Sequence, residues 1–211
     1  MAQETMSTTP ETTGPVGSDV RRAHIRGSTD WKKALWFGLV SFLAFPLGGL
    51  LARVVGPVDE LWVAIAAGAI AGAVIGTGQW LMLRSTGIDA RWIFATAGGL
   101  AVGLAVGTAL VDYGISVADL AVVGVFSGLG VGLAQWPLLR GRVRASLVWI
   151  PATAVLWALG WVVTSQVIST NAKEQFAVFG ASGALTVALL SGALLWALGL
   201  WARGSTRETP A

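Results

Sequence analysis

Residues 72–85 read GAVIGTGQWLMLRS, and residues 128–141 read GLGVGLAQWPLLRG. The runs align without a gap, pairing Gly72 with Gly128, Gly76 with Gly132, Gln79 with Gln135, Trp80 with Trp136 and Arg84 with Arg140. Stepping back by four from each arginine gives Trp80, Gly76, Gly72 and Gly68 in one run, and Trp136, Gly132, Gly128 and Gly124 in the other. Residues four apart share a helix face, so each run reads as a helix with a glycine groove that ends in an indole and then a guanidinium. The segment between them keeps the step with Ala95, Gly99, Gly103 and Gly107. Small residues let backbones approach closely, a main source of helix association in lipid. All these glycines are therefore expected to pack helices.

Outward from this repeat the chain divides into six apolar segments, at about 34–54, 61–83, 92–111, 117–139, 146–168 and 176–201. Each is close to the ~20 residues that cross the hydrocarbon core of a bilayer. The breaks are short and charged, and most contain Gly or Pro. Continuous apolar runs in lipid must be helical, because helices satisfy their own backbone groups. The expected fold is all-α, a six-transmembrane-helix bundle of three two-helix hairpins. The third hairpin is degenerate: Gly192 and Trp196 keep their spacing, but Leu195 replaces the Gln and Leu200 the Arg.

Composition agrees. Of 211 residues, 55% are hydrophobic and 12% charged, against about 25% charged in soluble domains. Residues 1–30 are polar, rich in Thr, Ser, Gly and Pro, and read as a disordered tail. Residues 31–203 form the membrane domain, and 204–211 a second tail. Lys and Arg concentrate at one set of flanks (Arg21, Arg22, Arg26, Lys32, Lys33, Arg84, Arg91, Arg140, Arg142, Arg144, Arg203 and Arg207), with only Arg53 and Lys173 at the other. The positive-inside rule then predicts both termini in the cytoplasm.

There is no cysteine, and the single histidine, His24, lies in the tail. Thiolate and histidine metal sites, haem ligation and cysteine nucleophiles are excluded, so no metal and no cofactor are expected. The net charge of +3 sits at loop ends rather than in a patch for nucleic acid. Trp31, Trp36, Trp80, Trp92, Trp136, Trp149 and Trp201 fall near the cytoplasmic boundary and read as an interfacial belt. Trp157, Trp161 and Trp196 lie deeper and are candidates for contacting a ligand or another helix. Gln79 and Gln135 lie about a turn inside the boundary, where an amide needs a partner. Two readings stay open for them: bonds between helices, or a polar ligand site. With Trp80, Arg84, Trp136 and Arg140 they are the ligand- or lipid-binding candidates, the arginines reaching headgroups or covering the preceding indoles.

The run GTGQWLMLRSTGIDARWIFATAGGLAVG (76–103) resembles a group of bacterial multi-pass membrane proteins with hairpins bearing a small-residue stripe, then Q-W-x-x-L-R, then a Trp-bearing helix. The resemblance covers the second to fourth segments and implies the architecture and a plasma-membrane location, with no activity attached. The run at 179–184, FGASGA, looks like the serine motif of rhomboid proteases. A serine nucleophile needs a positioned base, and no histidine follows it, so Ser182 reads as a packing residue. No catalytic residue is expected. The leading expectation is a structural or interaction protein whose partners are anionic lipid headgroups at the cytoplasmic face, another membrane protein or a second copy. The alternative is a small-solute carrier or the substrate-binding subunit of a transporter.

Overall fold

The computed structural model describes residues 16–167, 178 and 180–202, with side chains described from Trp31 onward except Val167. It is all-helical. Helix α1 spans Val16–Ala52, α2 Leu61–Leu83, α3 Arg91–Leu110, α4 Val117–Leu139, α5 Trp149–Val167 and α6 Ala181–Ala197. Turns of 3-10 helix follow α1 and α2 and precede α5.

The helices begin and end where local chemistry dictates. Ser116 and Asp119 form a reciprocal capping box at the start of α4: the Asp119 N–H donates to Ser116 Oγ at 3.2 Å, and the Ser116 N–H to Asp119 Oδ2 at 3.0 Å. Gly87 stops the turn after α2 in a left-handed conformation, φ 82°. Five helical stretches, Trp31–Val55, Leu61–Thr86, Arg91–Leu110, Val117–Leu139 and Ser146–Gln166, are long and apolar enough to cross a membrane. Ala181–Ala197 is apolar but shorter. Residue 168 of the fifth expected segment and residues 176, 177 and 179 of the sixth lie outside the described ones.

Helix α1 begins at Val16, within the polar stretch 1–30. No proline interrupts the chain from Val16 to Phe45, and extending an established helix adds a hydrogen bond per residue without a new nucleus. Residues 1–15 and the tail 204–211 lie outside the described residues.

Each helix packs against its neighbours in sequence and α1 packs on α6, so the six form a ring, and large side chains meet across its interior, as Phe45 of α1 does with Trp157 of α5 at 5.6 Å between ring centroids. Two apolar clusters fill the interior. One holds Phe45, Ile75, Leu100, Leu104, Trp157 and Trp161, with Val187 from α6. The other, toward the basic end, holds Phe37, Leu83, Trp92, Leu139, Trp149 and Leu195. Leucines such as Leu43, Leu50 and Leu133 are exposed on the outside, which is the arrangement a lipid solvent rewards.

The glycine stripes are the seams of this ring. A methyl added at Gly68, Gly72 or Gly76 of α2 would lie 2.9, 2.7 or 3.0 Å from the Cα of Ala101, Ala97 or Ile93 of α3. At Gly124, Gly128 and Gly132 of α4 it would lie 2.7, 2.7 and 3.0 Å from the Cα of Ala158, Ala154 and Ile150 of α5. Gly99, Gly103 and Gly107 of α3 face Val131, Ser127 and Val123 of α4, at 2.8, 2.8 and 2.9 Å. Backbones this close leave no room for a side chain.

Candidate functional site

The glycine seams set where the polar groups meet. Gln79 is three residues past Gly76, and Gln135 three past Gly132; both are buried, at 9% and 1% exposure. Trp92 Nε1 donates to Gln79 Oε1 at 3.0 Å. Between α4 and α5 the same bond recurs: Trp149 Nε1 donates to Gln135 Oε1, also at 3.0 Å. The two halves are then joined: Gln135 Nε2 donates to Thr96 Oγ1 at 2.8 Å and, more weakly, to Gln79 Oε1 at 3.4 Å. Thr96 Oγ1 donates in turn to the Trp92 carbonyl at 2.8 Å, and Thr153 Oγ1 to the Trp149 carbonyl at 2.9 Å. The two indoles lie against each other with ring centroids 6.5 Å apart.

Of the two readings for the glutamines, this geometry is that of bonds between helices. Each interhelical bond of this kind contributes about 0.6–1.7 kcal/mol. Leaving a buried amide without partners costs more, about 1–3 kcal/mol. The third hairpin has no counterpart. Leu195 stands at the glutamine position, fully buried near Phe37 and Trp201, whose rings meet edge to face at 6.2 Å.

The interfacial-belt reading needs correction for Trp92, Trp149 and Trp201, which are buried. An indole N–H accepts burial when it finds an acceptor, and the glutamine amides supply one to Trp92 and Trp149. Trp31 and Trp36 are exposed, as a belt requires, and Trp80 and Trp136 are half-buried. Trp157 and Trp161 pack into the core, whereas Trp196 points outward. Thr96 and Thr153 carry the network and escaped the sequence reading. Their signal was a second repeat, WIFAT at 92–96 and WIPAT at 149–153, spaced by one residue more than the glutamine repeat and so hidden by a fixed-offset comparison.

The remaining candidates form the rim. Arg84 and Arg140 are exposed. The Arg140 guanidinium lies over the Trp136 ring, 5.6 Å from its centroid, and Trp136 Nε1 donates to Ser146 Oγ at 3.3 Å. Arg84 does not stack on Trp80, whose Nε1 is buried without a partner. Arg142 ties two loops together, donating to the Leu138 carbonyl at 3.1 Å and the Gly87 carbonyl at 2.8 Å. Asp89 pairs with Arg91 at 2.7 Å, and hydrogen bonds from the Arg91 side chain and backbone hold its carboxyl below the ordinary value. Ser182, set aside as a nucleophile, lies in the first turn of α6 beside Gly183, which packs on Gly160 and Thr164 of α5. Among the described residues no three His, Cys, Asp or Glu side chains come together as a metal would need.

Compared with protein families, with curated proteins and with solved structures, the chain matches none.

Proposed function

We propose that the chain is a six-span plasma-membrane protein of bacterial type, with both termini cytoplasmic, whose role is structural. It is a ring of repeated hairpins that offers basic loops to anionic lipid headgroups and its outer surface to a membrane partner or a second copy. The observation that carries this reading is that the Gln79 and Gln135 amide oxygens accept from the Trp92 and Trp149 indoles and Gln135 Nε2 donates to Thr96, between two packed apolar clusters. The asymmetry of Lys and Arg supports the orientation. The apolar helix Ala181–Ala197 supports a sixth crossing, and the resemblance of 76–103 supports the repeat and the bacterial setting.

One observation favours the carrier as a second reading. The hydroxyls of Ser41, Ser127 and Thr164 are buried without partners, and such groups in a membrane interior are a resource for a polar solute. Mass spectrometry of small molecules co-purifying from native membranes separates the two. On the structural reading, Gln79→Leu lowers stability modestly and leaves the bound small molecules unchanged. Loss of a non-lipid molecule from a well-folded Gln79→Leu protein would put the carrier first. For topology, a reporter fused after Arg203 should behave as cytoplasmic and one inserted near Asp59 as external; an external C-terminal reporter overturns the six-span arrangement.

A further inference from the structure

The three hairpins end differently, and the difference leaves a groove. On α4, Trp136 is covered by Arg140, four residues on. Its counterpart on α6, Trp196, is followed at that spacing by Leu200, which is buried. Trp196 therefore has no cation of its own helix and stands 48% exposed. Beside it, on the outer side of the close α1–α6 seam at Gly38 and Gly192, lies an apolar groove of about 210 Å³ lined by Trp31, Ala34, Leu35, Leu189, Ala193 and Trp196.

Basic residues lie at the same end of the bundle as this groove. Lys32 and Lys33 directly follow Trp31 and are exposed, and neither is in an ion pair among the described residues. Arg144, also exposed, is brought to the end of α6 by its backbone N–H, which donates to the Leu198 carbonyl at 2.9 Å. Asp30 precedes the lysines in sequence, so the run 30–33 keeps a single excess positive charge, to which Arg144 adds. An apolar groove between two exposed indoles, at the end of the bundle that carries exposed Lys32, Lys33 and Arg144, suits an acyl chain beneath an anionic phosphate, toward which long basic side chains can extend.

We propose that the α1–α6 groove is a binding site for one anionic phospholipid, its acyl chain against Leu35, Leu189 and Ala193 and its phosphate facing Lys32, Lys33 and Arg144. This rests on the reading that the basic end of the ring lies at a headgroup layer, and it places the specific lipid at the degenerate seam rather than at the Gln–Trp–Arg ends. The test is native mass spectrometry of the full chain in mild detergent, titrated with phosphatidylglycerol and with phosphatidylcholine. The parent should retain phosphatidylglycerol in preference. Ala193→Trp, which fills the groove from an exposed position, should abolish that preference. Lys32→Gln with Lys33→Gln should weaken phosphatidylglycerol binding about thirtyfold at low salt, from roughly 1 kcal/mol per charge, and leave phosphatidylcholine unaffected. If Ala193→Trp does not fold, the exposed lysine pair decides alone. No preference in the parent would refute the headgroup reading itself. A parent with the preference and variants that keep it in full would refute the groove alone, as would an Ala193→Trp protein that loses a dimer and no lipid.

Discussion

A methyl group at Gly72 is the sharpest probe of the seams. The added carbon would lie 2.7 Å from both Ala97 Cα and the Thr96 carbonyl oxygen. Non-bonded carbons prefer about 3.5–4.0 Å, so α3 must withdraw by roughly 1 Å. Thr96 belongs to the polar network, and Trp92 lies one turn before it. The same withdrawal therefore opens the 3.0 Å bond from Trp92 to Gln79 toward a length that no longer counts as a hydrogen bond. Overpacking costs about 1–3 kcal/mol and the lost interhelical bond about 0.6–1.7 kcal/mol. Against this stands the gain of alanine over glycine in a helix, up to ~1 kcal/mol. The net expectation for Gly72→Ala is a loss of about 1–3 kcal/mol. Gly98 supplies the control: it is in α3, and a methyl there meets nothing within 4 Å. Gly98→Ala should therefore stabilise, by up to ~1 kcal/mol. The two alanines differ only in what they face, so their opposite signs are the result to look for in reversible unfolding by SDS in mixed micelles. If Gly72→Ala gains stability as Gly98→Ala does, the seam is not closed by backbone contact and the packing argument fails.

Further outcomes follow from the network and the rim. A double-mutant cycle of Gln135→Leu and Trp149→Phe should give a coupling of about 0.6–1.7 kcal/mol, measured by the same unfolding titration; additive effects would mean that the 3.0 Å bond between them contributes nothing. Arg142→Lys should loosen the loop that follows α2 nearly as much as Arg142→Ala, because only a forked guanidinium reaches both the Leu138 and Gly87 carbonyls; hydrogen exchange of residues 84–90 reads this, and full rescue by Lys contradicts it. For Asp89 the sign follows from its lowered pKa. The contact with Arg91 is intact above the ordinary value of 3.8 and is lost as pH falls through the lowered one. Carboxyl NMR should place the midpoint below that of an Arg91→Gln variant, and equal midpoints would remove Arg91 as the cause.

The sequence by itself determined the helices and the faces they pack. Continuous apolar runs admit no other backbone in lipid, and a glycine every fourth residue marks a close seam whatever the partner. It also marked Gln79 and Gln135 as groups needing partners, since an amide inside a membrane segment is an unpaid desolvation until bonded. What it could not decide was which partners. The choice between a bond to another helix and a bond to a ligand depends on groups 13, 14, 39 and 56 residues away in the chain, and only the packing of α2 to α5 brings those together. The tryptophans make the same point from the other side. Trp36 and Trp92 hold equivalent positions in sequence, yet Trp36 is exposed and Trp92 fully buried. Helix phase relative to a neighbour, which no local pattern encodes, turns one indole to the outside and the other to an amide.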